Sequence, residues 1–212
     1  MPSNRGIFNV PRALCKNVEL GGELLVDGGW FARRAYEIGD YLFVYKPSYG
    51  YSRYSFPLGL LPMEGRVWTG GKKPQRGDVI VFQRSHDPND SSDYVKRLIG
   101  LPGDRVQMRD GVLYLNGQQV RRQRIADFVN RDEFGGERAA ARYRETLPNG
   151  VSYDTLDLDP DGFNDNTPVY EVPSGYFFVL GDNSAASKDS RLWLEGHHVD
   201  RELLIGKAIA IG

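Results

Sequence analysis

Apolar residues in this chain come in short runs, and the residues between them are those that turn a backbone. Tyr41-Leu42-Phe43-Val44-Tyr45 is aromatic and β-branched, follows Ile38-Gly39-Asp40 and stops at Pro47, which predicts a buried strand. Asp78-Val79-Ile80-Val81-Phe82 and the run beginning at Tyr94 flank the polar loop His86 to Asp93 and predict a hairpin. Val106 to Arg109 and Val112 to Leu115 flank Asp110-Gly111, and Asn116-Gly117 follows; both dipeptides tolerate the positive φ of a tight hairpin turn, so a meander is expected. The pattern resumes at Val169 to Val172 and Tyr176 to Leu180 and ends with Leu204 to Ile211. Many short strands with tight turns predict a mainly β, antiparallel fold.

Three stretches depart from this pattern. Residues 1–35 are the least regular, with weak extended pieces at Phe8 to Pro11 and Glu23 to Val26, and stand apart as a divergent N-terminal segment. Residues 48–76 read as a surface loop anchored by tyrosines. Within a β domain over 36–212, residues 121–167 are charged and read as a smaller inserted subdomain, with a short helix around Glu137 to Arg144 and an acidic loop from Asp154 to Asn166.

Charge and composition narrow the functions. Lys and Arg total 27 against 28 Asp and Glu, so no global basic field favours nucleic acid. The single cysteine, Cys15, excludes an internal disulfide framework, and His86, His197 and His198 have no zinc-ligand spacing, so no metal or other cofactor is expected. Glu64, Asp78, Asp93 and Asp104 read as solvated turn residues. No apolar run reaches the ~18 residues of a spanning helix, and no export signal is visible, so a soluble chain is one expectation.

Lys96 is the residue with candidate chemistry. Period two puts it on one face with Tyr94 and Leu98, apolar company in which a lysine loses its charge and becomes a base. The alternative is an edge-strand lysine in water.

Several ordered motifs extend this reading: Gly39-Asp40-Tyr41-Leu42-Phe43-Val44, Tyr49-Gly50-Tyr51-Ser52-Arg53-Tyr54-Ser55, Tyr94-Val95-Lys96-Arg97, Gly100-Leu101-Pro102-Gly103-Asp104, and Leu180 through Arg191. Together they strongly resemble the bacterial type I signal peptidase family, particularly its alphaproteobacterial members, over residues 38–212. The resemblance implies an antiparallel β core of several small sheets or a partial barrel. It implies a membrane-tethered serine endopeptidase that removes signal peptides from exported proteins. Its place would be the inner membrane, with the catalytic domain on the periplasmic side and the membrane surface as a partner. The family's general base falls on Lys96 and its lysine-orienting serine on Ser187. Asp182 and Arg97 match a supporting ion pair, Asp189 and Arg191 match the end of the last motif, and Asp93, Tyr94 and Val95 match a substrate-lining strand.

The nucleophile segment departs from the family pattern. Counted back without gaps from Gly39-Asp40, Phe31 occupies the serine position; in a second register, from Phe8, Leu14 does, with Cys15 one residue later. Ser184, Ala185 and Ala186 stand where the family usually carries Arg, Asp and Asn. Two readings follow: a Ser/Lys endopeptidase, or a non-catalytic peptide-binding or structural relative with the same scaffold.

Overall fold

β-branched and aromatic runs cut by Gly, Pro, Asn and Asp make strands the dominant regular structure among the described residues. The computed structural model describes residues 15–19, 41–52, 65–67, 73–85, 93–131, 137–157, 162–184, 187–193 and 196–211. Within them run β1 (Cys15–Glu19), β2 (Tyr41–Tyr45), β3 (Tyr51–Ser52), β4 (Arg66–Val67), β5 (Val79–Gln83), β6 (Asp93–Gly100), β7 (Arg105–Arg109), β8 (Val112–Leu115) and β9 (Gln118–Gln119). The rest are β10 (Arg121–Arg124), β11 (Phe128–Arg131), β12 (Glu137–Thr146), β13 (Ser152–Asp157), β14 (Tyr170–Glu171), β15 (Tyr176–Leu180), β16 (Val199–Asp200) and β17 (Leu204–Ile211). The main sheet has seven strands in the order β1-β2-β17-β5-β6-β15-β16. A second sheet runs β14-β7-β8-β9, a third joins β10, β11 and β13 to β12, and β3 pairs β4. The mainly β, antiparallel expectation holds. Among the described residues no helix is long and apolar enough to cross a membrane.

Strand β6 pairs with β5 along one edge and with β15 at its far end, and apolar clusters pack on both of its faces. Leu98 joins a cluster with Ile80, Phe82, Val179, Trp193 and Leu204 on one side. Ile99 joins Val106, Leu113, Tyr153, Phe178 and Leu180 on the other. Alternation along one strand therefore feeds two cores, which is why its last six residues are all buried.

The two turn dipeptides behave as their chemistry demands. Asp110 and Gly111 have φ of 47° and 70°, and Asn116 and Gly117 have 55° and 79°, positive at both central positions as a two-residue hairpin requires. Residues 137–144 correct the expected helix: they lie in β12, which pairs β10, β11 and β13. Ala, Arg and Glu favour a helix locally, but alternation decides here. Tyr143 and Glu145 face the core side with Tyr153, while Arg142 and Arg144 both bond Asp154 across the opposite face.

Asp78 and Asp104 are likewise not solvated. Asp78 accepts the Tyr49 hydroxyl at 2.8 Å and pairs with Lys207. Asp104, 6% exposed, accepts from Arg76, from Asn116 Nδ2 at 2.9 Å and from the Leu101 N–H at 2.6 Å. Burial alone would raise the Asp104 carboxyl, but these hydrogen bonds outweigh it and hold its pKa below the usual 3.8. Stability from this network is thus complete above the unfolded-chain pKa and is lost as pH falls through the depressed folded value. Asn116→Gly keeps the positive φ but removes the bonds to Asp104 and to the Arg105 N–H. We expect it to cost about 1–2 kcal/mol at pH 7. Denaturant midpoints should show that deficit narrowing as pH is lowered below 3.8.

Candidate functional site

The site forms where β6 meets the segment that follows β15. Register sets Lys96 opposite Ile80 and Tyr94 opposite Phe82, so Tyr94, Lys96 and Leu98 share a face with the apolar cluster of Ile80, Phe82 and Trp193. Lys96 is only 9% exposed. Its Nζ donates to Ser187 Oγ at 2.9 Å. The amine is therefore sheltered, which excludes a lysine standing in water.

Arg97, the next residue, points to the opposite face. Its Nε and Nη2 donate to the two oxygens of Asp182, both at 2.7 Å, and its Nη1 donates to the Gly77 carbonyl at 2.8 Å. Both partners are buried, at 3% and 4% exposure. A bidentate pair of this kind fixes geometry as well as charge.

The Leu180 to Arg191 segment is held by its own acid and base. Asp189 is fully buried. Its oxygens accept from the Gly181 N–H at 3.0 Å and from Arg191 Nε and Nη2 at 2.9 and 2.7 Å. Arg191 Nη2 also donates to the Ser184 carbonyl at 3.0 Å. Burial would lower the Arg191 pKa, but the Asp189 carboxylate beside it holds the guanidinium above its usual value. So tethered, the loop passes Gly181 beneath Ser187. A Cβ on Gly181 would lie 2.0 Å from Ser187 Oγ and 3.6 Å from Lys96 Nζ.

The structure thus brings together Lys96, Ser187, Arg97, Asp182, Asp189 and Arg191. Asp93, Tyr94 and Val95 open β6 and pair on one side with Gln83, Phe82 and Val81 of β5. On the other side β15 joins only from Arg97 onward, so among the described residues no strand pairs with that edge at Asp93–Lys96. Val95 itself is 2% exposed, so it can meet a ligand only through its backbone.

Phe31 and Leu14 lie outside the described residues, as do Ala185 and Ala186. Cys15 begins β1, opposite Tyr45, which is opposite Lys207, then Ile80, then Lys96. That row sets Cys15 four strand steps from Lys96, about 19 Å along the sheet. Among the described residues no group of three or more His, Cys, Asp or Glu side chains could hold a metal.

Two residues beside the site carried no local sequence signal. Tyr153 lies under Arg97, with Cζ 4.4 Å from the ring centroid. Its hydroxyl donates to Glu145 Oε2 at 2.8 Å. Only the partnership of β12 and β13 places them here.

The family model for signal peptidase, peptidase S26, matches residues 25–212. Signal peptidase I of Rickettsia typhi is 41% identical over 179 residues, covering 80% of this chain and 63% of that protein. Signal peptidase I of Rickettsia massiliae is 40% identical over 161 residues, covering 72% of this chain and 58% of that protein. The chain therefore spans less than two thirds of the length of these relatives. A crystal structure of a signal peptidase I from Enterococcus faecalis V583 is 27% identical, with a TM-score of 0.36, and covers 66% of this chain and 98% of that one.

Proposed function

Because the chain belongs to the signal peptidase, peptidase S26, family, we propose that it is a signal peptidase I-like endopeptidase of the Ser/Lys type. Its substrates are signal peptides of exported proteins, cut at the periplasmic side of the inner membrane. The observation that carries the reading is the buried Lys96 amine at 2.9 Å from Ser187 Oγ, next to a strand edge able to take an extended peptide. The peptide adds as a strand along Asp93 to Lys96, its backbone hydrogen-bonding that edge. Lys96, neutral, takes the proton of a nucleophilic hydroxyl as that oxygen bonds the scissile carbonyl carbon. The proton then passes to the departing amine as the C–N bond breaks, and water cleaves the ester. Ser187 orients the amine, and Arg97–Asp182 and Asp189–Arg191 fix the two segments that meet there.

One observation favours a second reading, a non-catalytic peptide-binding relative. The serine position falls on Phe31 or Leu14, and among residues 1–40 the only Ser, Thr or Cys side chains are Ser3 and Cys15. The test uses a synthetic signal peptide with small residues at the cut, incubated with the chain and with Lys96→Ala. The endopeptidase reading expects cleavage that falls on the order of a thousandfold or more in the variant. Equal background cleavage with saturable binding of the peptide by both proteins establishes the binder. Absence of both cleavage and binding overturns the two readings together.

A further inference from the structure

We propose that Tyr153 is a positioning residue for Lys96, acting through Arg97 and Asp182, with Glu145 holding its ring in place. The hydrogen-bonding edges of the Arg97 guanidinium are engaged by Asp182 and by the Gly77 carbonyl. What remains is its flat face, and the Tyr153 ring covers it, with the ring centroid 4.4 Å from Cζ. Both residues are 3% exposed, so the contact is made out of water, where a cation over an aromatic face is strongest. The ring cannot slide, because its hydroxyl is bonded to Glu145 Oε2 at 2.8 Å. Burial pushes both the Glu145 carboxyl and the Tyr153 phenol up in pKa, while their mutual hydrogen bond and Arg122 oppose the rise at Glu145. Charged groups facing Glu145 from the neighbouring elements are Arg122, Asp182 and Arg97.

Strand β13 holds the same loop a second time, through the backbone. The Leu156 N–H donates to the Asp182 carbonyl at 2.8 Å, and the Ser184 N–H donates to the Leu156 carbonyl at 3.0 Å. Asp182 follows Gly181, on which Ser187 rests beside the Lys96 amine. Tyr153 thus reaches Lys96 by two short routes, along β6 from Arg97 and along the loop from Asp182. An aliphatic side chain would fill the same space without holding the cation's orientation.

The inference rests on the proposed function only for the role given to Lys96, so its test reads that amine directly. The full chain, Tyr153→Phe and Tyr153→Leu are treated with acetic anhydride across a pH series. Acetylation of Lys96 is measured by peptide mass spectrometry against the exposed Lys73 and Lys188. Tyr153→Leu should move the midpoint of the Lys96 labelling curve up by about half to one pH unit as water reaches the amine. Tyr153→Phe, which keeps the ring, should stay within about half that shift. Lys73 and Lys188 should not change. If Tyr153→Leu does not fold, Tyr153→Met removes the ring with a more adaptable filler, and the same shift is expected. A folded ring-less variant whose Lys96 curve matches the parent overturns the proposal, as does one in which all three lysines shift together. Where the parent cleaves signal peptide, the ring-less variant should lower kcat and leave KM unchanged; where it does not, the labelling alone decides.

Discussion

Gly181→Ala should lose the Lys96–Ser187 hydrogen bond and with it any signal-peptide cleavage, down to the level of Lys96→Ala. The added Cβ would stand 2.0 Å from Ser187 Oγ and 2.4 Å from Ser187 Cβ, distances no side chain tolerates. Ser187 cannot retreat easily, being 7% exposed and followed, after the exposed Lys188, by the fully buried Asp189 and Ser190. Overpacking of this kind costs about 1–3 kcal/mol. Leaving a buried amine and hydroxyl without each other adds about 1–3 kcal/mol more. Denaturant unfolding should therefore show a loss of about 2–6 kcal/mol. A pair of second-site variants checks the cause. Ser187→Ala should not relieve the clash, because its Cβ stays in place, whereas Ser187→Gly should recover the overpacking share without restoring the hydrogen bond. Unchanged stability in Gly181→Ala would show that the loop yields freely, against the tethering described for Asp189.

Asp182→Ala should be the most destabilising truncation in the site. It strands the Arg97 guanidinium at 3% exposure with only the Gly77 carbonyl and the Tyr153 ring for company. Removing one member of a buried pair costs about 3–5 kcal/mol, because the surviving charge has lost both water and partner. The double variant Arg97→Met, Asp182→Leu should recover most of that stability, since two apolar chains of similar volume carry no desolvation cost. Chemical denaturation of the three proteins decides between this and a pair that merely ornaments the site: equal midpoints for Asp182→Ala and the parent would exclude it.

Much of the scaffold was legible locally. The strands at 41–45, 79–83 and 176–180 are runs of β-branched and aromatic residues, and the turns at 110–111 and 116–117 carry dipeptides with one inexpensive backbone solution. What could not be read was anything decided by a distant partner. The helix expected around Glu137 to Arg144 reflects real local preference, overruled by strands on both edges of β12. Local alternation put Lys96 among apolar neighbours but left open whether water reached it. The answer comes from β15 and from Ser187, 91 residues further along the chain. Asp78 and Asp104 looked like ordinary turn acids because their cations, Lys207 and Arg76, come from other segments. Tyr153 and Glu145 sit in a charged stretch with nothing to distinguish them until β13 folds against the loop after β15.

The parallel bridge between Leu156 and Asn183 has a consequence for how the chain opens. Two amide protons, on Leu156 and Ser184, are each locked by a carbonyl from the other segment. Neither can exchange with solvent unless both segments separate. Hydrogen–deuterium exchange at these amides should therefore proceed at one common rate, making β13 and the Ser187-bearing loop after β15 a single breathing unit.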